Sequence, residues 1–473
     1  MHLLAKTFVK TGHLRIREDS IRSNKTLFHD RAVTNKSVIP LRATCFSAIG
    51  TPLPHIEQAA CIYLDYNGTT PIFPEVAEAM RPFLVQHGNP SSSHKFGREC
   101  NMAVQKARQQ VASLINCHPH EVYFTSCGTE SDNWAIVGTV MAARRRSNAP
   151  SFMAHVVTSQ VEHPAVLECL KHLQQQGLAT YTAIPVDHTG TVDPLEVEAA
   201  IISSTVLVTI MHSNNEVGTI QPISEVAAVV KGLRGDSNGD LNRQQQGTGS
   251  SILFHTDAAQ SLGKVQVDVR ALDVDMATIV GHKFGAPKGV AALYIRDGVE
   301  ISSFFLGGGQ EGGRRAGTEN VLLLAGFGRA AELAVQEREA LTEHMQRLRD
   351  DLQDQLCRAL PQEAYLVNGP SSPSQRLPNT LSISIKGLDS PRLLAVLADE
   401  LAATAGAACH VPGYTHISSV LAAMDVPVEY AAGTLRLSVG RHTTQEEVDA
   451  AVGLILREIA AQGLPLRLPS LTA

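Results

Sequence analysis

The chain has 473 residues, 44% of them hydrophobic, which is enough to bury a large core and to fill more than one domain. Its net charge of −6 is uneven: residues 1–50 hold nine Lys or Arg against three Asp or Glu, leaving the rest at about −12. That balance excludes a basic nucleic-acid face on the body, the lack of an 18-residue apolar run excludes a membrane-spanning helix, and eight cysteines without a CxxC pair exclude a disulfide framework or a zinc ribbon.

Residues 1–55 read as an N-terminal extension. They are basic, rich in Ser and Thr, and end in Arg42-Ala-Thr-Cys-Phe-Ser-Ala, which suits an organelle transit peptide for a mitochondrion or plastid. Glu18, Asp19 and Asp30 suit a disordered extension on a cytoplasmic protein instead, and both readings stay open.

Over residues 61–325, β-branched runs alternate with Ala-rich amphipathic stretches, the pattern of crossover units. It predicts an α/β fold with a mostly parallel sheet, with core strands at 121–125, 155–159, 205–211, 252–256 and 276–280. Residues 233–251 are rich in Gly, Asp, Asn and Gln and read as an inserted surface loop. A charged helix over 332–360 opens a smaller α+β domain, 326–465. There the sequence predicts strands at 379–385 and 434–439, a helix near 391–401 and a last helix after the capping box Thr444-Gln-Glu-Glu447. Cys61, Cys100, Cys117, Cys169 and Cys357 read as reduced structural thiols.

Each core strand runs into polar residues, and carboxyl ends of parallel strands are where such sheets bind ligands. In Thr278-Ile-Val-Gly-His282-Lys283 the lysine ends an apolar run, so its amine can hold an aldehyde cofactor as a Schiff base. Pyridoxal phosphate also needs a carboxylate at its ring nitrogen, donors to its phenolic oxygen and donors around its phosphate. Asp257 supplies the first, Asn215 and Gln260 the second, and His163 can stack on the ring. For the phosphate, Phe124-Thr-Ser126-Cys-Gly128-Thr129 is a strand turning into a helix whose free N–H groups favour an anion, and His282 is a further donor. The sequence points to no metal ligands.

These motifs, taken in order with Tyr63-Leu-Asp-Tyr-Asn-Gly-Thr-Thr-Pro71, Gly88-Asn-Pro-Ser-Ser, Gly307-Gly-Gly-Gln-Glu, Ala316-Gly-Thr-Glu-Asn320, Ala405-Gly-Ala-Ala-Cys409 and Leu435-Arg-Leu-Ser-Val-Gly-Arg441, resemble the cysteine desulfurase and selenocysteine lyase group of fold-type I pyridoxal phosphate enzymes. The resemblance implies a seven-stranded large domain and a homodimer in which Thr318 reaches the phosphate of a neighbouring copy. It gives Thr129, His163, Asn215, Asp257, Gln260, His282 and Lys283 the roles above, and makes Arg436 the clamp on the substrate carboxylate. Cys409, which composition alone would leave as a structural thiol, becomes the residue that takes the substrate's sulfur as a persulfide or assists the release of selenium, with a possible acceptor protein downstream.

Three positions depart from the family pattern. Val280 stands where a phosphate-binding Ser is frequent, Cys127 where Gly is usual, and Gly312 where Arg is frequent; Ser126 or Thr278 could compensate for Val280 if aimed at the phosphate. Phrases such as Gly406-Ala-Ala-Cys-His410 and Gln375-Arg-Leu-Pro-Asn-Thr resemble the selenocysteine lyases, so the sequence puts L-selenocysteine first as substrate and L-cysteine, for cluster or thio-cofactor synthesis, second.

Overall fold

The computed structural model describes residues 61–149, 151–235, 252–408 and 416–467. The strands in chain order are β1 (Ile62–Tyr63), β2 (Val122–Thr125), β3 (Ala154–Ser159), β4 (Ala179–Ile184), β5 (Thr205–Thr209), β6 (Leu253–Asp257), β7 (Met276–Val280), β8 (Ala291–Ile295), β9 (Tyr365–Val367), β10 (Thr380–Ile385), β11 (Leu401–Ala402), β12 (Thr404–Ala405), β13 (Ala407–Ala408), β14 (His416–Ile417) and β15 (Thr434–Ser438). The main sheet has seven strands in the order β2-β8-β7-β6-β5-β3-β4. β8 pairs antiparallel with both β2 and β7, and the other pairs are parallel. Every residue of β3, β5, β6, β7 and β8 is buried, as expected for a sheet covered by helices on both faces.

Five of these strands lie where hydrophobic runs predict them. β4 and β8 do not announce themselves: β4 is an edge strand with Thr180 and Tyr181 half-buried and Thr182 exposed, and β8 opens on two alanines that fit a helix as readily. Residues 233–235 belong to the helix Ile223–Gly235, and the rest of the 233–251 loop lies outside the described residues, as does the N-terminal extension.

The long helix Val321–Ala359 starts earlier than the predicted 332, capped by Asn320, whose side chain accepts from the Leu323 N–H at 3.2 Å. Its first turns carry little charge because Leu324, Phe327, Ala330 and Leu333 pack into the core beneath the main sheet. Further along, Met345, Leu348, Leu352 and Leu356 join a second core with β10, β15 and the helix Gln445–Ala461. One compact unit, residues 58–473, holds both cores.

The second sheet is antiparallel, β12-β15-β10-β9, and β1 pairs in parallel with β11. The chain's first described strand therefore lies beside elements some 340 residues later, as the Thr404 to Asp65 bond also shows with its separation of 339 residues. The helix near 391–401 is shorter than expected, Ser390–Val396, because the chain leaves it to enter β11. No helix among the described residues is long and apolar enough to cross a membrane.

Candidate active site

β2 runs in the same direction as β7, so β2, β3, β5, β6 and β7 all end at one edge of the main sheet. Their following residues, together with Asn67 and Gly68 and with Arg436 from β15, line a cavity of about 360 Å³, the size range of small-molecule sites. Gly128, Thr129, His163, Asn215, Asp257, Gln260, His282, Lys283 and Arg436, all read from the sequence, line it. Thr318 does not line the cavity of its own chain and is exposed. Cys409 and His410 lie outside the described residues.

Lys283 is the last residue of a single turn, Gly281–Lys283, after the end of β7. Its Nζ donates to the backbone carbonyls of Asn67 at 2.6 Å and Gly68 at 2.9 Å. Burial first, and the Arg436 guanidinium second, pull its pKa down to about 8. Asp257, the last residue of β6, is 7% exposed and accepts from the Ala259 N–H at 2.9 Å. Burial pushes its carboxyl above the usual range, against the attraction of His163 and Lys283.

His163 caps the helix Pro164–Gln175: its Nδ1 accepts from the Ala165 N–H at 3.1 Å, so the proton of the neutral ring sits on Nε2. Burial lowers the pKa of this ring too. The preceding Glu162 is buried, its carboxyl raised to about 8, and it accepts from Ser159 Oγ at 2.6 Å and from the Met211 N–H at 3.0 Å, which fixes the turn that presents His163. His282 shares a hydrogen bond with Thr69 at 3.1 Å and is lowered to about 4, chiefly by burial.

The helix Gly128–Ser147 begins at the cavity with Cys127 as its cap residue, which places no side chain on the helix's first N–H groups. A Cβ at Gly128 would meet Val280 Cγ2 at 2.6 Å, so glycine is what leaves room for this approach. Neither suggested substitute for a serine at 280 is free. Thr278 does not line the cavity and has its Oγ1 3.0 Å from His255 Nε2, and Ser126 Oγ is bound to Glu130 Oε2 at 2.5 Å. Of the groups read from the sequence as anion donors, the backbone N–H groups at the helix start, Thr129 and His282 are those at the cavity.

Three contributors escape a sequence reading. Asp65 holds Arg436, its Oδ1 2.7 Å from Nη2, while Thr404 Oγ1 lies 2.9 Å from the same nitrogen. Arg436 Nη1 donates to the Asn215 carbonyl at 3.2 Å, and its buried Nε has no acceptor. Asn67 joins the Lys283, Gln260 and Asn215 segments through its backbone and side chain. Asp132 is buried against the cavity, and its Oδ1 makes no hydrogen bond, lying 3.9 Å from His255 Nε2. Asp65 and Asn67 sit in a motif visible in the sequence and Asp132 three residues after Thr129, but their partners are distant in the chain, and only folding joins them.

The donor set fits pyridoxal phosphate. A buried carboxylate short of a cationic partner, an amine of lowered pKa, two carboxamides and an uncapped helix start share one cavity. Among the described residues no group of three or more His, Cys, Asp or Glu side chains could hold a metal ion.

Comparison with known proteins agrees. Residues 62–451 match the model of the aminotransferase class-V family. A cysteine desulfurase of Trichormus azollae is 42% identical over 393 residues, covering 83% of this chain and 91% of that protein. A cysteine desulfurase IscS of Dictyoglomus turgidum is 40% identical, covering 84% and 94%. A solved NifS-like protein superposes with a TM-score of 0.74 at 35% identity, covering 85% of this chain and 100% of that one. The precedence the sequence gives to the selenocysteine lyases finds no support here, because these relatives carry desulfurase names. With a matching family model over most of its length and relatives of this identity, the chain belongs to the class V aminotransferases and, within them, to the cysteine desulfurase family of fold-type I pyridoxal phosphate enzymes.

Proposed function

We propose that this chain is a cysteine desulfurase, which removes sulfur from L-cysteine to leave L-alanine and passes the sulfur to an acceptor protein. The observation that carries the reading is one cavity joining the Lys283 amine, the buried Asp257 carboxylate and the Arg436 guanidinium, in a chain whose relatives are named for this reaction.

Bound pyridoxal phosphate supplies an aldehyde carbon for an amine and a ring that accepts electron density from the substrate's Cα. Asp257 would hold a proton on the ring nitrogen. Asn215 and Gln260 would donate to the phenolic oxygen, and His163 would lie against the ring. Thr129, His282 and the N–H groups from Gly128 onward would hold the phosphate. Arg436 takes the substrate carboxylate, for which its unpartnered Nε–H is a ready donor.

Lys283 then acts as the base at Cα. With its pKa near 8, about a tenth of it is neutral at pH 7, against roughly one part in 2,500 for an ordinary lysine. Cys409 attacks the substrate sulfur: an S–S bond forms as the Cβ–S bond breaks, the electron pair of that bond stays with carbon, and protons returned to carbon complete alanine. The thiol is thereby oxidised to a persulfide and the carbon reduced, with no outside redox partner. Thr318, exposed on its own chain, serves the phosphate of a second copy, so the working form is a homodimer.

The test is alanine formation by protein lacking residues 1–50, supplied with pyridoxal phosphate, from L-cysteine and L-selenocysteine in parallel. Turnover of cysteine with a persulfide on Cys409 is expected. Strong preference for selenocysteine without persulfide would return the lyase reading.

A further inference from the structure

Behind the cavity lies a lysine that the reaction does not use. Lys264 is 4% exposed, and its Nζ has two partners, Gln260 Oε1 at 2.9 Å and Asn67 Oδ1 at 3.2 Å. Both are neutral amide oxygens. The charged groups acting on Lys264 are Lys283 and Arg436, both cations; across the small apolar cavity it also lines, Glu337 and Arg441 are bonded to each other at 2.8 Å. Thr342, on the long helix, binds the Lys264 carbonyl at 2.7 Å and holds its backbone in place. Burying an ammonium this way is costly, and its pKa falls well below the ordinary lysine value through burial first and those two cations next. A buried lysine is rare without a role or a partner that demands it.

The partner here is the carboxamide of Gln260. An amide can sit either way round, and only its hydrogen bonds decide which end is oxygen. Lys264 Nζ donates to two amide oxygens here, and a donor facing the amide nitrogen would be repelled. Its contact therefore fixes Oε1 on the inner side and leaves Nε2 outward, where it donates to the Asn67 carbonyl at 3.0 Å. That same carbonyl receives the Lys283 amine at 2.6 Å. Asn67 Oδ1 keeps a second donor, Asn379 Nδ2 at 3.0 Å, whereas among the described residues Lys264 is the one donor to Gln260 Oε1, and it acts in the same sense as the Asn67 carbonyl does on Nε2.

We propose that Lys264 is a positioning residue that sets the Gln260 carboxamide with its N–H groups toward the cofactor's phenolic oxygen, a contact to substrate or cofactor that it does not make itself. The proposal rests on the reading of Gln260 as that oxygen's donor. A donor there stabilises the phenolate and lowers the proton affinity of the bound cofactor's chromophore.

The experiment is a pH titration of the visible absorption of the cofactor-loaded protein without substrate, for wild type, Lys264→Met, Lys264→Gln and Gln260→Leu. The midpoint is expected to rise in Gln260→Leu, to rise by a similar amount in Lys264→Met, on the order of one pH unit or tenfold in proton affinity, and to return to wild type in Lys264→Gln, which restores a neutral donor. A wild-type midpoint in Lys264→Met alongside a shifted Gln260→Leu overturns the role of Lys264. An unshifted Gln260→Leu removes the reading of Gln260 on which it rests. If Lys264→Met takes up no cofactor, Lys264→Gln decides: a midpoint raised to the Gln260→Leu value means that charge alone acts, which also overturns the proposal.

Discussion

At the scale of single residues the site depends on groups held away from their ordinary protonation. Lys283 must be neutral to bond the cofactor, and with its pKa lowered from 10.5 to about 8 the neutral fraction grows tenfold per pH unit up to that point. The rate at which apoprotein gains visible absorption on adding pyridoxal phosphate is therefore expected to rise from pH 6 to about 8 and then level; a rise continuing unchanged to pH 10 would show an unperturbed lysine. Arg436 is bonded to Asp65, Thr404 and the Asn215 carbonyl, so its planar fork is fixed before substrate arrives. Arg436→Lys keeps the charge and loses the fork, and is expected to raise KM for cysteine by roughly 10–100-fold, about 1.4–2.8 kcal/mol, more than it lowers kcat. Initial-rate kinetics on the loaded enzyme would show it, and an unchanged KM would remove Arg436 from substrate binding.

At the scale of elements, the start of the helix Gly128–Ser147 and the end of β7 approach so closely that a single methyl decides their spacing. Gly128→Ala is expected to weaken cofactor affinity at least about tenfold by pushing the helix N-terminus off Val280, and Val280→Ala in the same chain to recover most of the loss, since Val280 Cγ2 is the atom met. Equilibrium dialysis of the single and double variants measures the coupling. Simple additivity would mean that the two elements do not share this contact. The strand ends that carry the site were legible in the sequence because buried parallel strands are unbroken apolar runs, and each stops where polar residues begin. The edge strand β4 and the Ala-led β8 were not, since neither composition separates strand from helix. The early turns of the helix Val321–Ala359 were missed for the opposite reason: apart from Arg329 they are apolar or small, and the dense charge pattern that signals a surface helix starts only where the helix leaves the first core.

For the whole molecule, most groups that line the cavity were readable, whereas those that hold them in place, Asp65, Asn67 and Lys264, were not, because a hydrogen bond across hundreds of residues leaves no local pattern. The proposed homodimer makes a sharper prediction than sedimentation alone. In co-expressed Lys283→Ala and Thr318→Ala chains, a mixed dimer has one site with both changes and one with neither, so random pairing is expected to restore about a quarter of wild-type activity; activity no higher than that of Thr318→Ala alone would show that Thr318 does not act across copies. The pairing of β1 with β11, and the bonds of Asp65 to Arg436 and of Asn67 to Ser438, 371 residues apart in each case, also impose an order on biosynthesis. On a ribosome adding about 5–20 residues per second, residues 62–68 wait roughly 20–75 seconds for the strand that completes them. The nascent polypeptide has Lys283 long before it has Arg436, and it cannot close around its cofactor until nearly the whole chain has been made.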